Sequence, residues 1–477
     1  MADSAGTQTT QTGQNGQSGD SDQFDVVVLG GGSGGYACAL RAAQLGMKVA
    51  LVEKGELGGT CLHRGCIPTK ALLHAAEVAD SSRESEQFGV RTTFDGIDMP
   101  AVNEYKDGVV ARLYKGLQGL VKSRKITFVQ GMGRLVSPTA VEVDGQRYEG
   151  KHVVLATGSY SKSLPGLDID GQQVITSDQA IKLDRVPTSV VVLGGGVIGC
   201  EFASVWKSFG AEVTIVEALP HLVPLEDEQS SKMLERAFRK RKIAFELGAR
   251  FSGVEKTEGG VKVSLENGKT IEAELLLVAV GRGPTSQELG YEQIGVEMER
   301  GFVKVDEHCQ TSVPTISAVG DLIPTPQLAH VGFGEGIMVA ERLAGLEPAP
   351  IDYDGVPRVT YSEPEVASVG ITEARAKEKY GDDGVETVTY DLAGNGKSQI
   401  LKTAGFVKLV RQKDGPVVGI HMVGSRVGEL VAEAQLIYGW EAYPDDVASL
   451  VHAHPTQTEA VGEAHLALAG KPLHAHG

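Results

Sequence analysis

No stretch of the 477 residues approaches the ~18 consecutive apolar residues of a membrane-crossing helix, so no transmembrane span is expected. Residues 1–22 lack the basic and apolar regions of a signal peptide and the arginines of a transit peptide. Being Gln, Thr, Ser and Gly with few apolar side chains, they are expected to form a disordered tail. Positive charge is also in deficit. The chain carries 45 Lys and Arg against 62 Asp and Glu, a formal charge of -17, which argues against nucleic acid or an anionic membrane as the main partner. Cysteines number only five, too few for a disulfide scaffold, and a cytoplasmic setting is expected. Glycine, at 61 residues, is abundant, yet no every-third-residue period exists, which excludes a collagen-like chain. The length suggests about three domains.

The glycines instead fall in short clusters. Phe24–Gly30 is a β-branched apolar run of the kind found in buried parallel strands, and it enters Gly30-x-Gly32-x-x-Gly35 at once. An Ala- and Leu-rich helix over 33–46 should follow, stopping at Gly46, with a second strand over 47–53 ending in Glu53. The unit recurs as a strand and turn over 189–199, a helix over 200–210 and a strand over 211–217. Its glycines are Gly194, Gly196 and Gly199, and its acid is Glu217. In both copies the acid lies 23 positions after the first glycine (53 − 30 and 217 − 194), as an internally duplicated dinucleotide-binding unit would have it. In such a unit the first glycine permits the turn, the second admits a pyrophosphate and the third lets helix and strand pack closely. The acid accepts from a ribose. Ala218, Leu219 and Pro220 follow Glu217 without an arginine, which favours NAD over NADP. Further strands are expected at 151–159, 274–282 and 315–321. From about residue 350 alternating segments suggest a separate α+β domain.

Cys61 and Cys66 lie in GGTCLHRGCIPTK (58–70). On an ideal helix residues five apart have Cα atoms about 8.6 Å apart, beyond the ~7 Å reach of a disulfide. A bond between them therefore requires an irregular segment, for which Gly65 and Pro68 are suited. Zinc would need two further ligands, and none is evident, so no metal site is expected. A redox-active disulfide beside a flavin is the sharper reading. Near the C-terminus, HAHPTQTEA (452–460) offers His454 as a base with Glu459 to orient it, and His452 as a competing candidate. Asp321, ending a strand after Gly320, is a candidate ligand for a flavin ribityl or phosphate group.

Taken together, GGTC-x-x-x-GCIP-x-K, HAHPT-x-x-E, ATG (156–158), GR-x-P (281–284), GD (320–321) and PEVASVG (364–370) make the chain resemble the pyridine nucleotide–disulfide oxidoreductases. The likeness spans about residues 23–470 and is greatest to the branch that oxidises dihydrolipoamide in 2-oxo-acid dehydrogenase complexes. It implies an α/β fold with two Rossmann-like domains and a C-terminal α+β dimerisation domain. The boundaries would be 23–158 and 281–350 for the FAD domain, 159–280 for the NAD domain and 351–477 for the interface. It further implies FAD at Gly30, Gly32, Gly35, Glu53, Lys70, Gly133, Thr157, Gly158, Ser159 and Asp321, and NAD at Gly194, Gly196, Gly199, Glu201, Glu217 and Gly281. By the same match Cys61 exchanges with the dithiol, Cys66 lies against the flavin, and Lys70 pairs with Glu201. His454 and Glu459 act as the acid/base pair, donated by the other subunit of a homodimer. His63-Arg64 between the cysteines, Val331 after His330 and Thr285 after the proline depart from the family's usual residues.

The expected activity is oxidation of dihydrolipoamide with NAD⁺ through FAD and the Cys61–Cys66 disulfide, with lipoyl domains as partners. The nearest rival is an NADPH-dependent reductase of a small disulfide of the glutathione or mycothiol type, which Glu217 disfavours. Mercuric reduction is disfavoured because no cysteine follows Cys309. A binding or scaffold subunit would leave Cys61, Cys66, His454 and Glu459 without a purpose.

Overall fold

The computed structural model describes residues 23–474; the tail expected over 1–22 lies outside the described residues. Val26, Val27 and Val28 are fully buried, because the strand Phe24–Leu29 sits between parallel neighbours and is covered on both faces. Each buried valine contributes about 1.5 kcal/mol of apolar transfer. The strand belongs to a seven-stranded sheet whose parallel part orders Thr127–Gln130, Val49–Glu53, Phe24–Leu29 and Gln146–Leu155. A β-meander, Gly133–Ser137, Ala140–Val143 and Gln146–Leu155, extends it, and the distant strand Ile316–Ala318 pairs in parallel with Gln146–Leu155.

The second glycine motif lies in an all-parallel five-stranded sheet in the order Ala244–Glu246, Glu212–Val216, Ser189–Leu193, Leu275–Val278 and Val174–Ile175. An antiparallel three-stranded sheet, Phe251–Thr257, Gly260–Leu265 and Thr270–Ala273, covers it. The third unit is an antiparallel five-stranded sheet built from Arg358–Thr360, Glu365–Gly370, Val417–Gly424, Phe406–Gln412 and Val385–Asp391, with helices packed on it. Two Rossmann-like units and a C-terminal α+β domain thus make up the fold.

The expected elements sit where the pattern put them, with ends shifted by one to five residues: the strand expected over 151–159 is Gln146–Leu155, and the helix expected over 200–210 starts at Val197. The first helix is Ser33–Gln44 and the second-motif helix Val197–Phe209, the latter closed by Gly210 at φ +111°. The strand expected over 274–282 is only Leu275–Val278, because the chain turns away through Gly281 at φ +107°. One packing has no local signature. Helix Ala329–Leu343 crosses the first helix so closely that a Cβ on Gly336 would lie 2.3 Å from the Gly34 carbonyl oxygen. Among the described residues no helix is long and apolar enough to cross a membrane.

Candidate active site

The two glycine turns have the same geometry to within a few tenths of an ångström. A Cβ on Gly30 would lie 2.2 Å from the Ala156 oxygen, and on Gly194 2.3 Å from the Ala279 oxygen. Side chains at the third glycines would meet backbone: 1.8 Å from Gly30 O at Gly35 and 1.9 Å from Gly194 O at Gly199. The middle glycines differ in kind. A Cβ on Gly32 or Gly196 would meet no atom within 4 Å, so these positions face open space at the N-termini of two helices that have no side-chain cap. Free N–H groups and the positive end of a helix suit a pyrophosphate there. The residues present therefore fit FAD at the first turn and NAD at the second.

Each acid is held by the turn it serves. Glu53 accepts from Gly31 N–H and Gly55 N–H, both at 2.7 Å. Glu217 accepts from Gly195 N–H at 2.7 Å and Leu219 N–H at 2.8 Å. Every carboxylate oxygen keeps a lone pair for a ribose hydroxyl. Gly133 begins a strand beside this site, where a Cβ would come 2.5 Å from Leu29 Cδ1. Gly158 (φ +72°) and Gly281 (φ +107°) adopt left-handed backbone with open space at the Cβ position.

The cysteine segment is irregular, as its spacing requires. Cys61 lies on the short helix Gly59–His63 and Cys66 begins the helix Cys66–Glu84, with Gly65 at the break. Gly58 and Gly59 bring this segment onto the first nucleotide turn. Gly58 N–H donates to Gly31 O at 2.8 Å, and a Cβ on Gly59 would sit 2.7 Å from Gly32 Cα. The two thiols are free, and each shifts the other's pKa. A hydrogen-bonding interaction with the Cys61 thiol lowers the Cys66 pKa to about 7 against the cost of burial, and the Lys70 ammonium helps. Cys61 moves the opposite way, raised by the same interaction and by burial. The opposite shifts polarise the pair and favour the thiolate on Cys66.

Lys70 is one turn along the same helix. Its Nζ donates to both oxygens of Glu201 at 2.8 and 2.9 Å, and lies 4.7 Å from the centre of the Tyr361 ring. Burial opposes the ammonium, but Glu201 and Cys66 hold its pKa above the ordinary value. Tyr361 N–H also donates to Glu201, at 3.0 Å. Glu201 thus joins the second nucleotide helix, the cysteine helix and the C-terminal unit at one carboxylate. Alkylation of Cys66 in the reduced protein should rise through pH about 7, since the thiolate is lost below that value. In Lys70→Met the midpoint should move up by one unit or more, read by mass spectrometry of the labelled peptide; an unmoved midpoint would remove Lys70 from this role.

His454 lies elsewhere. Its Nδ1–H donates to Glu459 Oε1 at 2.8 Å, and its side chain is 75% exposed. Thr456 N–H binds the other Glu459 oxygen at 2.8 Å. Burial acts against the Glu459 charge, but Thr456 and His454 keep its pKa below the usual range. His452, the competing candidate, is turned inward and donates from Nε2 to Glu433 at 2.8 Å. Of the two, only His454 presents a free ring edge to solvent.

Comparison with known proteins follows the same division. Residues 24–336 match the family described as pyridine nucleotide-disulphide oxidoreductase, and residues 356–465 match that family's dimerisation domain. The chain belongs to this family. It is similar to a dihydrolipoyl dehydrogenase of Bacillus subtilis, 41% identical over 95% of this chain and 99% of that one. A mitochondrial dihydrolipoyl dehydrogenase of Pisum sativum is 41% identical over 95% of this chain and 93% of its own. Among solved structures it resembles LpdA of Mycobacterium tuberculosis with a TM-score of 0.87 and 26% identity, covering 93% of this chain and 99% of that one.

The remaining candidates of this pyridine nucleotide–disulphide oxidoreductase are knitted together by partners that sequence patterns do not reveal. Ser159 Oγ donates to Asp321 at 2.5 Å and accepts from Arg282 Nε at 2.7 Å, so Arg282 sets the aspartate's orientation through the serine. Thr157 Oγ donates to Thr285 O at 2.6 Å and lies 3.0 Å from Tyr291 OH. Thr285 acts here through its backbone carbonyl, which any residue at that position would offer. His63 donates to Leu57 O at 2.9 Å and packs edge-on against Tyr114, and Val331 is buried at 2% exposure. Glu335 lies in no recognisable motif. It is fully buried, and it accepts from Gly320 N–H at 2.6 Å, Thr325 Oγ at 2.7 Å and Tyr353 OH at 3.0 Å, which fixes the turn that carries Asp321. A lone glutamate in a helix gives no sign of such burial. Tyr36 was also missed. Its pKa is pushed to about 12 by burial and then by the charges of Cys61 and Cys66.

Proposed function

We propose that this protein is a dihydrolipoyl dehydrogenase: it oxidises dihydrolipoamide to lipoamide while reducing NAD⁺ to NADH with release of a proton. The observation that carries the reading is the polarised Cys61–Cys66 pair, pressed by Gly58 and Gly59 onto a turn that suits FAD. On this reading residues 23–158 and 281–350 carry FAD, 159–280 carry NAD and 351–477 pair the subunits of a homodimer. The pairing of Ile316–Ala318 with Gln146–Leu155 supports that division. Gly30, Gly32, Gly35, Glu53, Lys70, Gly133, Thr157, Gly158, Ser159 and Asp321 serve FAD; Gly194, Gly196, Gly199, Glu201, Glu217 and Gly281 serve NAD.

The chain's own residues account for the thiol chemistry. His454 of the partner subunit accepts the proton of one substrate thiol, and Glu459 holds its ring in the tautomer that leaves Nε2 free. The substrate thiolate attacks Cys61 of the disulfide, and Cys66 leaves as a thiolate, the form that its contact with Cys61 and the Lys70 charge favour. The second substrate thiol loses its proton to solvent as its sulfur attacks the first, the bond to Cys61 breaks, lipoamide departs, and the imidazolium returns its proton to the Cys61 thiolate. When bound, FAD supplies a two-electron acceptor for the dithiol and NAD⁺ the final hydride acceptor. The partners that present such a dithiol are the lipoyl domains of 2-oxo-acid dehydrogenase complexes, and a cytoplasmic setting keeps a cycling thiol pair reducible.

Glu217 decides the nucleotide, since its carboxylate accepts a 2′-hydroxyl and repels a 2′-phosphate. Initial rates with dihydrolipoamide should favour NAD⁺ over NADP⁺ by at least ~100-fold. Faster NADPH-driven reduction of glutathione or mycothiol disulfide would overturn the assignment in favour of the small-disulfide reductases.

A further inference from the structure

The segment that carries His454 has no regular structure between the helices Pro444–Ala448 and Glu459–Leu468, yet it must present an imidazole within hydrogen-bond tolerance. Thr456 is gripped from both sides. Its N–H donates to Glu459 Oε2 at 2.8 Å, and its carbonyl accepts from Asn395 Nδ2 at 3.0 Å. Asn395 is 2% exposed and lies 61 positions away, at the start of the helix Gly396–Leu401. Its Oδ1 accepts from Ser398 N–H at 2.9 Å and from Ser398 Oγ at 3.0 Å. The amide orientation follows, with oxygen toward two donors and nitrogen toward an acceptor. Only an amide of this length fills both roles. The next residue touches the same site, since a Cβ on Gly396 would lie 3.9 Å from His454 Cε1.

We propose that Asn395 is a positioning residue for proton transfer: its buried amide fixes Thr456, and through Thr456 the carboxylate of Glu459 that orients His454. This rests on the assignment of His454 as the base under the proposed function. Displacement of a catalytic group by about 1 Å can lower the rate about 100-fold.

The test uses the full-length protein loaded with FAD. Asn395→Ser keeps an oxygen that caps the helix but cannot reach Thr456. The kcat for dihydrolipoamide should fall on the order of 10-fold or more, with KM changed less than about 2-fold. NADH-driven reduction of ferricyanide, which needs no imidazole, should stay at the wild-type rate. Ser398→Ala, which removes one bond to the cap and none to Thr456, should leave both activities unchanged. A wild-type kcat in Asn395→Ser overturns the proposal, as does an equal loss of both activities, the mark of a merely structural role. If Asn395→Ser does not retain FAD, Asn395→Asp decides: it keeps cap and shape but turns an oxygen toward the Thr456 carbonyl, and a wild-type kcat there is fatal. His454→Gln separates the two levels. A wild-type rate in that variant sinks the base assignment itself, whereas its loss beside an active Asn395→Ser sinks only the positioning role.

Discussion

Two inactive variants, Cys61→Ser and His454→Gln, should regain about a quarter of wild-type dihydrolipoamide turnover when co-expressed. On the proposed function each alone removes a group that reacts: the sulfur that exchanges with substrate, at a cost on the order of 10³-fold or more, and the base, at ~10²–10⁴-fold. The regain follows from where the structure puts them. Cys61 lies against the first nucleotide turn, whereas His454 faces outward with three-quarters of its side chain exposed. If each site takes its base from the other subunit, the mixed dimer has one site lacking both groups and one lacking neither. Random pairing makes half the dimers mixed, each with half its sites intact, hence about a quarter of the activity. Tag-purified mixed dimers should reach about half. A mixture that stays at the level of the single variants would place cysteine and histidine in one chain. Cys61→Ser at wild-type rate would end the disulfide scheme altogether.

The second large effect contrasts two glycines three residues apart in the second turn. Gly199→Ala would put a methyl 1.9 Å from the Gly194 carbonyl oxygen, a backbone collision that no side-chain rotation relieves. It should cost about 3 kcal/mol or more, visible as a lower midpoint in urea. Gly196→Ala meets nothing within 4 Å and should leave the urea midpoint unchanged. Its methyl would project into the space assigned to the pyrophosphate, so KM for NAD⁺ should rise on the order of 10-fold, equivalent to about 1.4 kcal/mol. FAD content should stay normal in this variant. Unchanged KM in Gly196→Ala would place the nucleotide elsewhere.

Both predictions show which parts of the site can be read along the chain. The glycine turns were legible because their function is local: a strand, a left-handed first glycine and a helix start are all set within about ten residues. The acids were legible for a related reason, since parallel strands side by side bring the end of the second strand to the first turn. The need for a break between Cys61 and Cys66 came from helix geometry alone, and Gly65 supplies it.

Other relations had no local cause. Glu201 looks like one more charge on a helix, and only the meeting of three units makes it the partner of Lys70 and of Tyr361 N–H. Glu335 is an ordinary glutamate until its burial against Gly320, Thr325 and Tyr353 is seen. His452 and His454 could not be ranked by spacing. The choice belongs to Glu433, which draws one ring inward, and to Glu459, which leaves the other exposed. Asn395 reaches Thr456 across 61 residues.

By itself, then, the sequence determined the duplicated nucleotide unit, the acid at the end of each second strand and the two sulfurs five residues apart. Backbone conformation and short-range spacing are enough for those. Tertiary structure decided the opposite shifts of the two thiols, which of the two histidines is exposed and what holds each in place. Those outcomes depend on charges, donors and acceptors from distant segments meeting in a buried space, where each group's neighbours set its protonation and direction.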